Sequence, residues 1–168
     1  RRDVTYKERP LLLANNGHAV FEDVGERAGA AFSQGYDARG LAVGDFDNDG
    51  GADAIFTRLK NSPVLLRNNV AHENSWIGFE LTGTTSNRDA IGARLTLQSG
   101  ERRRVRWITG GASYLSSQDK RVVFGLGPAP ASSLSALEIR WPSGQSQKVS
   151  GLAPNRYHAI EEPGKRQS

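Results

Sequence analysis

Arg39-Gly40-Leu41-Ala42-Val43-Gly44-Asp45-Phe46-Asp47-Asn48-Asp49-Gly50-Gly51-Ala52-Asp53-Ala54-Ile55-Phe56-Thr57 is the stretch on which the reading of this chain turns. Its centre has the form D-x-D-x-D-G-x-x-D. A hard divalent cation takes about six to eight oxygen ligands, and alternate residues of a tightly curled loop bring carboxylates to one point. Asp45, Asp47 and Asp49 are expected to supply side-chain oxygens, Gly51 a backbone carbonyl, and Asp53 the closing carboxylate. Gly50 permits the sharp turn, because glycine takes positive φ at no steric cost. The expected ion is Ca2+, since Mg2+ keeps its waters and a strict octahedron. Without a cation the four aspartates repel one another, so the empty loop is expected to be loose.

An EF-hand would place a bidentate Glu at the twelfth loop position and a helix on each side. That position is Phe56, and the flanks 41–44 and 54–57 read as strands. The metal is therefore expected to staple a hairpin. The competing reading is an ordinary Asp/Asn/Gly turn, and the completeness of the ligand spacing argues against it.

The rest of the chain extends the same pattern. Gly, Asn, Ser and Pro punctuate it at short intervals, and the runs between them are rich in β-branched and aromatic residues. Strands are expected over 11–14, 19–23, 40–45, 54–58, 64–67, 76–82, 93–98, 103–109, 121–125, 134–141, 145–149 and 157–161. No window holds a helical period, so the fold class is all-β. Leu11-Leu12-Leu13-Ala14-Asn15-Asn16-Gly17 is echoed by Val64-Leu65-Leu66-Arg67-Asn68-Asn69-Val70, each an apolar strand before an Asn-Asn turn. That spacing suits one β-repeat of the propeller-blade kind. The expected organisation is a calcium-binding β-repeat over 1–70, packed on a β-sandwich or barrel-like domain of roughly eight strands over 71–168.

Composition narrows the class of protein. With 168 residues and 37% apolar side chains the chain can build a core. Cysteine is absent, which removes disulfides, thiolate metal sites and a cysteine nucleophile. Methionine is absent too, so a processed or excised piece is expected. No segment approaches the ~20 apolar residues a membrane helix needs, so no membrane insertion is expected. The net charge of +4, driven by arginine, suits an anionic partner, although solubility is the preferred reading.

Other motifs carry little chemistry. His18, His72 and His158 are too scattered for zinc. Gly111-Ala112-Ser113-Tyr114-Leu115 lacks the second glycine of a nucleophile elbow, so Ser113 reads as a turn or strand residue. Phe124-Gly125-Leu126-Gly127 lacks the third glycine of a dinucleotide fingerprint. In Arg102-Arg103-Arg104-Val105-Arg106-Trp107, a strand puts Arg102, Arg104 and Arg106 on one face and Arg103, Val105 and Trp107 on the other. The first face suits phosphate or sulfate. A solvated outer face, or a charged edge that blocks stray strand pairing, is preferred. No catalytic residue emerges, and no nucleic-acid partner is expected.

Phe21-Glu22-Asp23-Val24, the stretch 39–50 and Leu65-Leu66-Arg67-Asn68-Asn69 together resemble a VCBS/FG-GAP repeat, the calcium-binding blade unit of integrin-like propellers. From Trp76 onward the chain resembles the ASPIC/UnbV domain, which follows such repeats in bacterial secreted proteins and in cartilage acidic protein-like proteins. The landmarks are Ser86-Asn87-Arg88-Asp89-Ala90-Ile91-Gly92-Ala93-Arg94, the stretch 111–118, Phe124-Gly125-Leu126-Gly127 and Trp141-Pro142-Ser143-Gly144. The resemblance implies a secreted or cell-surface location, calcium in the loop 45–53, and contact with a protein or glycan of the surface or matrix. The expected function is thus a non-catalytic, calcium-binding adhesion or interaction module. The alternatives are a structural subunit that self-associates through strand edges, and an accessory domain of a secreted enzyme system.

Overall fold

The computed structural model describes residues 6–69, 74–128 and 134–164. Each of the twelve expected segments overlaps a strand, and the fold is all-β. The expected boundary at residues 70–71 lies outside the described residues. Four-residue helical turns occupy Gly25–Ala28 (α1) and Ala30–Ser33, the latter a 3-10 turn; neither is long enough to show a period in sequence.

The C-terminal strands are β6 (Ser75–Thr82), β7 (Arg94–Ser99), β8 (Arg102–Trp107), β9 (Val122–Gly127), β10 (Leu134–Arg140), β11 (Ser146–Val149) and β12 (Tyr157–Glu161). They form two sheets, ordered β11-β10-β7-β8 and β12-β6-β9, with β12 parallel to β6. Among the described residues the count is seven, where roughly eight were expected. Alternation explains the packing: Leu95 and Leu97 of β7 and Leu137 and Ile139 of β10 point inward, against Ile77, Phe79, Val122 and Phe124 of the other sheet. All of these are buried and together make one core between the sheets.

Edge strand β8 shows what the arginine run does. Arg104 and Arg106 lie opposite Leu97 and Leu95, on the core side of the open edge, and the Arg106 guanidinium sits 5.9 Å from the Phe124 ring centre. Charges turned inward at an edge discourage pairing with another chain.

The N-terminal half holds a hairpin of β1 (Leu13–Asn15) and β2 (Phe21–Asp23) and an antiparallel sheet of β3 (Ala38–Gly44), β4 (Asp53–Arg58) and β5 (Asn61–Leu66). The two echoed segments diverge: one becomes β1 in a two-stranded ribbon, the other β5 beside β4. Segment 113–119 of the C-terminal half covers the free edge of β3. Leu41 N donates to Ser113 Oγ at 3.2 Å, and Asp119 N to Val43 O at 3.2 Å. Gly40 makes this approach feasible, since a Cβ there would lie 2.5 Å from Ser116 Oγ. Ser113 is thus a docking residue, and the β3 edge has no room over this stretch for a strand from another molecule.

Candidate metal centre

The acidic loop joins β3 to β4 as a hairpin connection. Oxygens of Asp45, Asp47 and Asp49 all lie within 4.8 Å of one another. Ca–O bonds are about 2.3–2.6 Å, so ligands on one calcium are separated by at most about 5 Å, and the group fits that limit. Asp47 Oδ1 is buried and has no hydrogen-bond partner, while Oδ2 takes a bond from Arg67 Nε. A buried carboxylate oxygen without a donor is costly unless a cation meets it.

Loop amides hold the other carboxylates in place. Asp45 accepts from Asp49 N at 3.1 Å and Gly50 N at 2.9 Å, and Asp49 Oδ1 accepts from Gly51 N at 2.7 Å. Asn48 takes φ +59°, a left-handed conformation that Asn tolerates better than most residues. Of the sequence-predicted ligands, Asp53 lies outside the cluster: it accepts from Phe46 N at 2.8 Å and Asn68 N at 2.7 Å, closing the base of the loop. Gly51 is buried at the loop's end.

Three residues absent from the predicted set grip the loop from the sandwich. Tyr157 of β12 donates its hydroxyl to Asp45 Oδ2 at 2.6 Å. Arg121 donates to the Asp45 carbonyl at 2.7 Å and to Asn48 Oδ1, and its guanidinium lies 4.6 Å from the Tyr157 ring centre. Trp76 of β6 packs directly on Gly50 and edge-on to Tyr157, with ring centres 5.2 Å apart. Gly78 lies opposite Tyr157 and has no side chain to obstruct its ring. Both faces of β6 are consequently buried over 76–79, one by the core and one by the loop contacts.

Burial and the bond to Asp45 push the Tyr157 phenol above its ordinary value. Burial works to raise Asp47, but the Arg67 hydrogen bond and charge outweigh it and hold the carboxyl low. Burial likewise works to raise Asp119, and the bond from Arg121 again lowers it. The lowered Asp47 is thus anionic at neutral pH, as a cation ligand must be. Tyr157→Phe is expected to cost about 1–2 kcal/mol, because the lost bond runs to a carboxylate. Urea denaturation would show this as a lower midpoint at unchanged slope.

An all-β sandwich joined to a sheet with an acidic hairpin loop is the architecture of this chain, and the sandwich half defines its class. The family profile described as ASPIC and UnbV matches residues 83–167, just over half of the chain, and the chain belongs to that family. Cartilage acidic protein 1 of Xenopus tropicalis is 34% identical over 117 residues, which is 65% of this chain and 17% of the length of that relative. The acidic loop lies outside the span matched to the family. Among the described residues, no helix is long and apolar enough to cross a membrane.

Proposed function

We propose that this chain is a calcium-binding, non-catalytic interaction module of the extracellular space. In this reading residues 1–70 act as a VCBS/FG-GAP-type repeat and residues 71–168 as the ASPIC/UnbV unit. The buried, donorless Oδ1 of Asp47, set among carboxylates at calcium-compatible spacing, carries the reading. Asp45, Asp47 and Asp49 would hold the ion, and the carbonyl of Gly51 and the carboxylate of Asp53 are the remaining candidates in reach of the loop.

Bound calcium would neutralise the loop's charge. The protein's own part is mechanical. Asp45 faces the ion group and also receives Tyr157, while its carbonyl receives Arg121. Ordering the loop therefore orders the joint between the β3–β5 sheet and the sandwich, and a stiff joint presents a fixed surface to a partner. Kinship to a protein named for cartilage supports the extracellular location.

Melting in calcium against chelator tests this reading. Calcium a hundredfold above its dissociation constant is expected to add about 2.7 kcal/mol. For a chain of this size that is roughly 5–10 °C. Asp47→Ala should abolish most of the increment. Identical melting curves with and without calcium, together with no heat of calcium binding by calorimetry, would refute it.

A further inference from the structure

The outward face of the four-stranded sheet carries a row of side chains set by register: Arg140 of β10 is directly opposite Arg94 of β7, which is directly opposite Trp107 of β8. Together with Trp141, Pro142 and Gly144 of the adjoining turn, these three line a cleft of about 340 Å3. Several features of the row are unfavourable to the protein alone. Like charges directly opposite one another destabilise a sheet. Arg94 and Arg140 make no salt bridge among the described residues. The Nε of Arg94 is buried without a hydrogen-bond partner. Trp107 is 58% exposed, an aromatic face turned to water at the end of the row.

Glu138 is the acidic residue of β10 on this face, and it sits one row away, opposite Thr96 and Lys148. An anion in the cleft would offset the arginine repulsion and give the Arg94 fork acceptors, while an apolar ring face would cover the indole.

We propose that this cleft binds an acidic saccharide, with sulfate or carboxylate oxygens on Arg94 and Arg140 and a sugar ring stacked on Trp107. Adjacent strands are about 4.8 Å apart, so the row spans about 10 Å, close to the length of a disaccharide. Guanidinium forks take sulfate and carboxylate in bidentate fashion. A sugar's C–H face packs on an indole whose other edge stays wet. Single-stranded nucleic acid is a poorer match, because its grooves use several aromatics in succession along a basic track, and this row offers one exposed ring. The proposal names a partner class for the interaction module put forward above, yet it uses no residue of the acidic loop.

The experiment is titration calorimetry of the whole chain with a heparin-derived tetrasaccharide, in calcium and in chelator. Neutral N-acetylchitotetraose and a single-stranded oligothymidylate serve as comparison ligands. Binding of the sulfated probe is expected under both conditions, with no binding of the neutral one. Arg140→Gln and Trp107→Ala should each weaken binding at least about tenfold. Arg140 is exposed, so its variant tests the site even if Trp107→Ala fails to fold. Arg103→Gln, on the same face away from the cleft, should change affinity less than about twofold, as a remote charge acts only through screened attraction. Equal losses for Arg103→Gln and Arg140→Gln, full affinity in folded Trp107→Ala, tighter binding of the oligothymidylate, or no binding of the sulfated probe would each overturn the proposal. Saccharide binding without any calcium response would instead remove the metal reading and leave this one standing.

Discussion

Glu162→Ala should lower the melting temperature at pH 7 by roughly 5–15 °C, corresponding to about 3–4 kcal/mol in a chain of this size. Glu162 is 2% exposed and lies just past the end of β12. Its Oε2 accepts from Thr84 N at 2.9 Å, Thr85 N at 2.9 Å and Ser86 N at 2.7 Å, and its Oε1 from Ser86 Oγ at 2.8 Å and Ser143 Oγ at 2.5 Å. One carboxylate thus ties the loop after β6 and the turn between β10 and β11 to the last strand. Truncation leaves the amides and hydroxyls of that nest without an acceptor, and each buried orphan costs about 1–3 kcal/mol unless water replaces the oxygen.

The same nest fixes a pH signature. Burial alone would raise the Glu162 pKa, but the bonds from Ser143, Ser86 and Thr85 outweigh it and hold the group at about 2 against an ordinary 4.5. A carboxyl with a depressed folded pKa stabilises fully above its unfolded value and loses that contribution as pH falls through the folded one. Wild-type stability should therefore decline between about pH 4.5 and 2 through this group. Glu162→Gln keeps the shape and one acceptor oxygen, and the serine hydroxyls can turn to accept from its amide. It should cost about 1–2 kcal/mol and flatten the decline. A decline of equal steepness in wild type and Glu162→Gln would show that other carboxyls control acid stability.

The contrast between Asp45 and Glu162 explains how much of this molecule is legible in its sequence. Strands announce themselves locally, through alternation such as Leu95 and Leu97 on one face and Arg94 and Gln98 on the other, ended by turn residues. The acidic loop is equally local, because its carboxylates come from one short run of chain. What grips that loop is not local. Tyr157 is 112 positions from Asp45, and Arg121 is 76. Neither belongs to a motif, and only chain topology brings them together. Glu162 follows another Glu in a polar stretch that reads as solvated surface, and only the returning loop at 84–86 makes it a buried anchor. β8 lies between these cases: alternation separates Arg104 and Arg106 from Trp107, but which side meets the core depends on the register with β7. As a result the aromatic face turned to solvent lies beside Arg94 and not on the face of the arginine run.

Gly50→Ala should be as damaging as Glu162→Ala, at about 3–4 kcal/mol, and for two independent reasons. Gly50 has φ +85°, where a residue with a Cβ pays about 1–2 kcal/mol. That Cβ would also lie 2.1 Å from Trp76 Cγ, so the ring or the loop must move, and overpacking of this kind typically costs about 1–3 kcal/mol. The ring has little freedom: Trp76 is buried, is paired edge-on with Tyr157, and has its backbone amide bonded to Asn155 Oδ1 at 3.0 Å. Displacing it pulls on Tyr157 and through it on Asp45, so under the proposed calcium reading the variant should also lose most of the calcium-dependent rise in melting temperature. Trp76→Ala supplies the control. If steric conflict dominates, Gly50→Ala should cost much less in the Trp76→Ala background than alone, a non-additivity expected of residues in contact. Strict additivity would assign the whole cost to the backbone, and a Gly50→Ala protein that melts with wild type would mean that the loop does not rest on the sandwich.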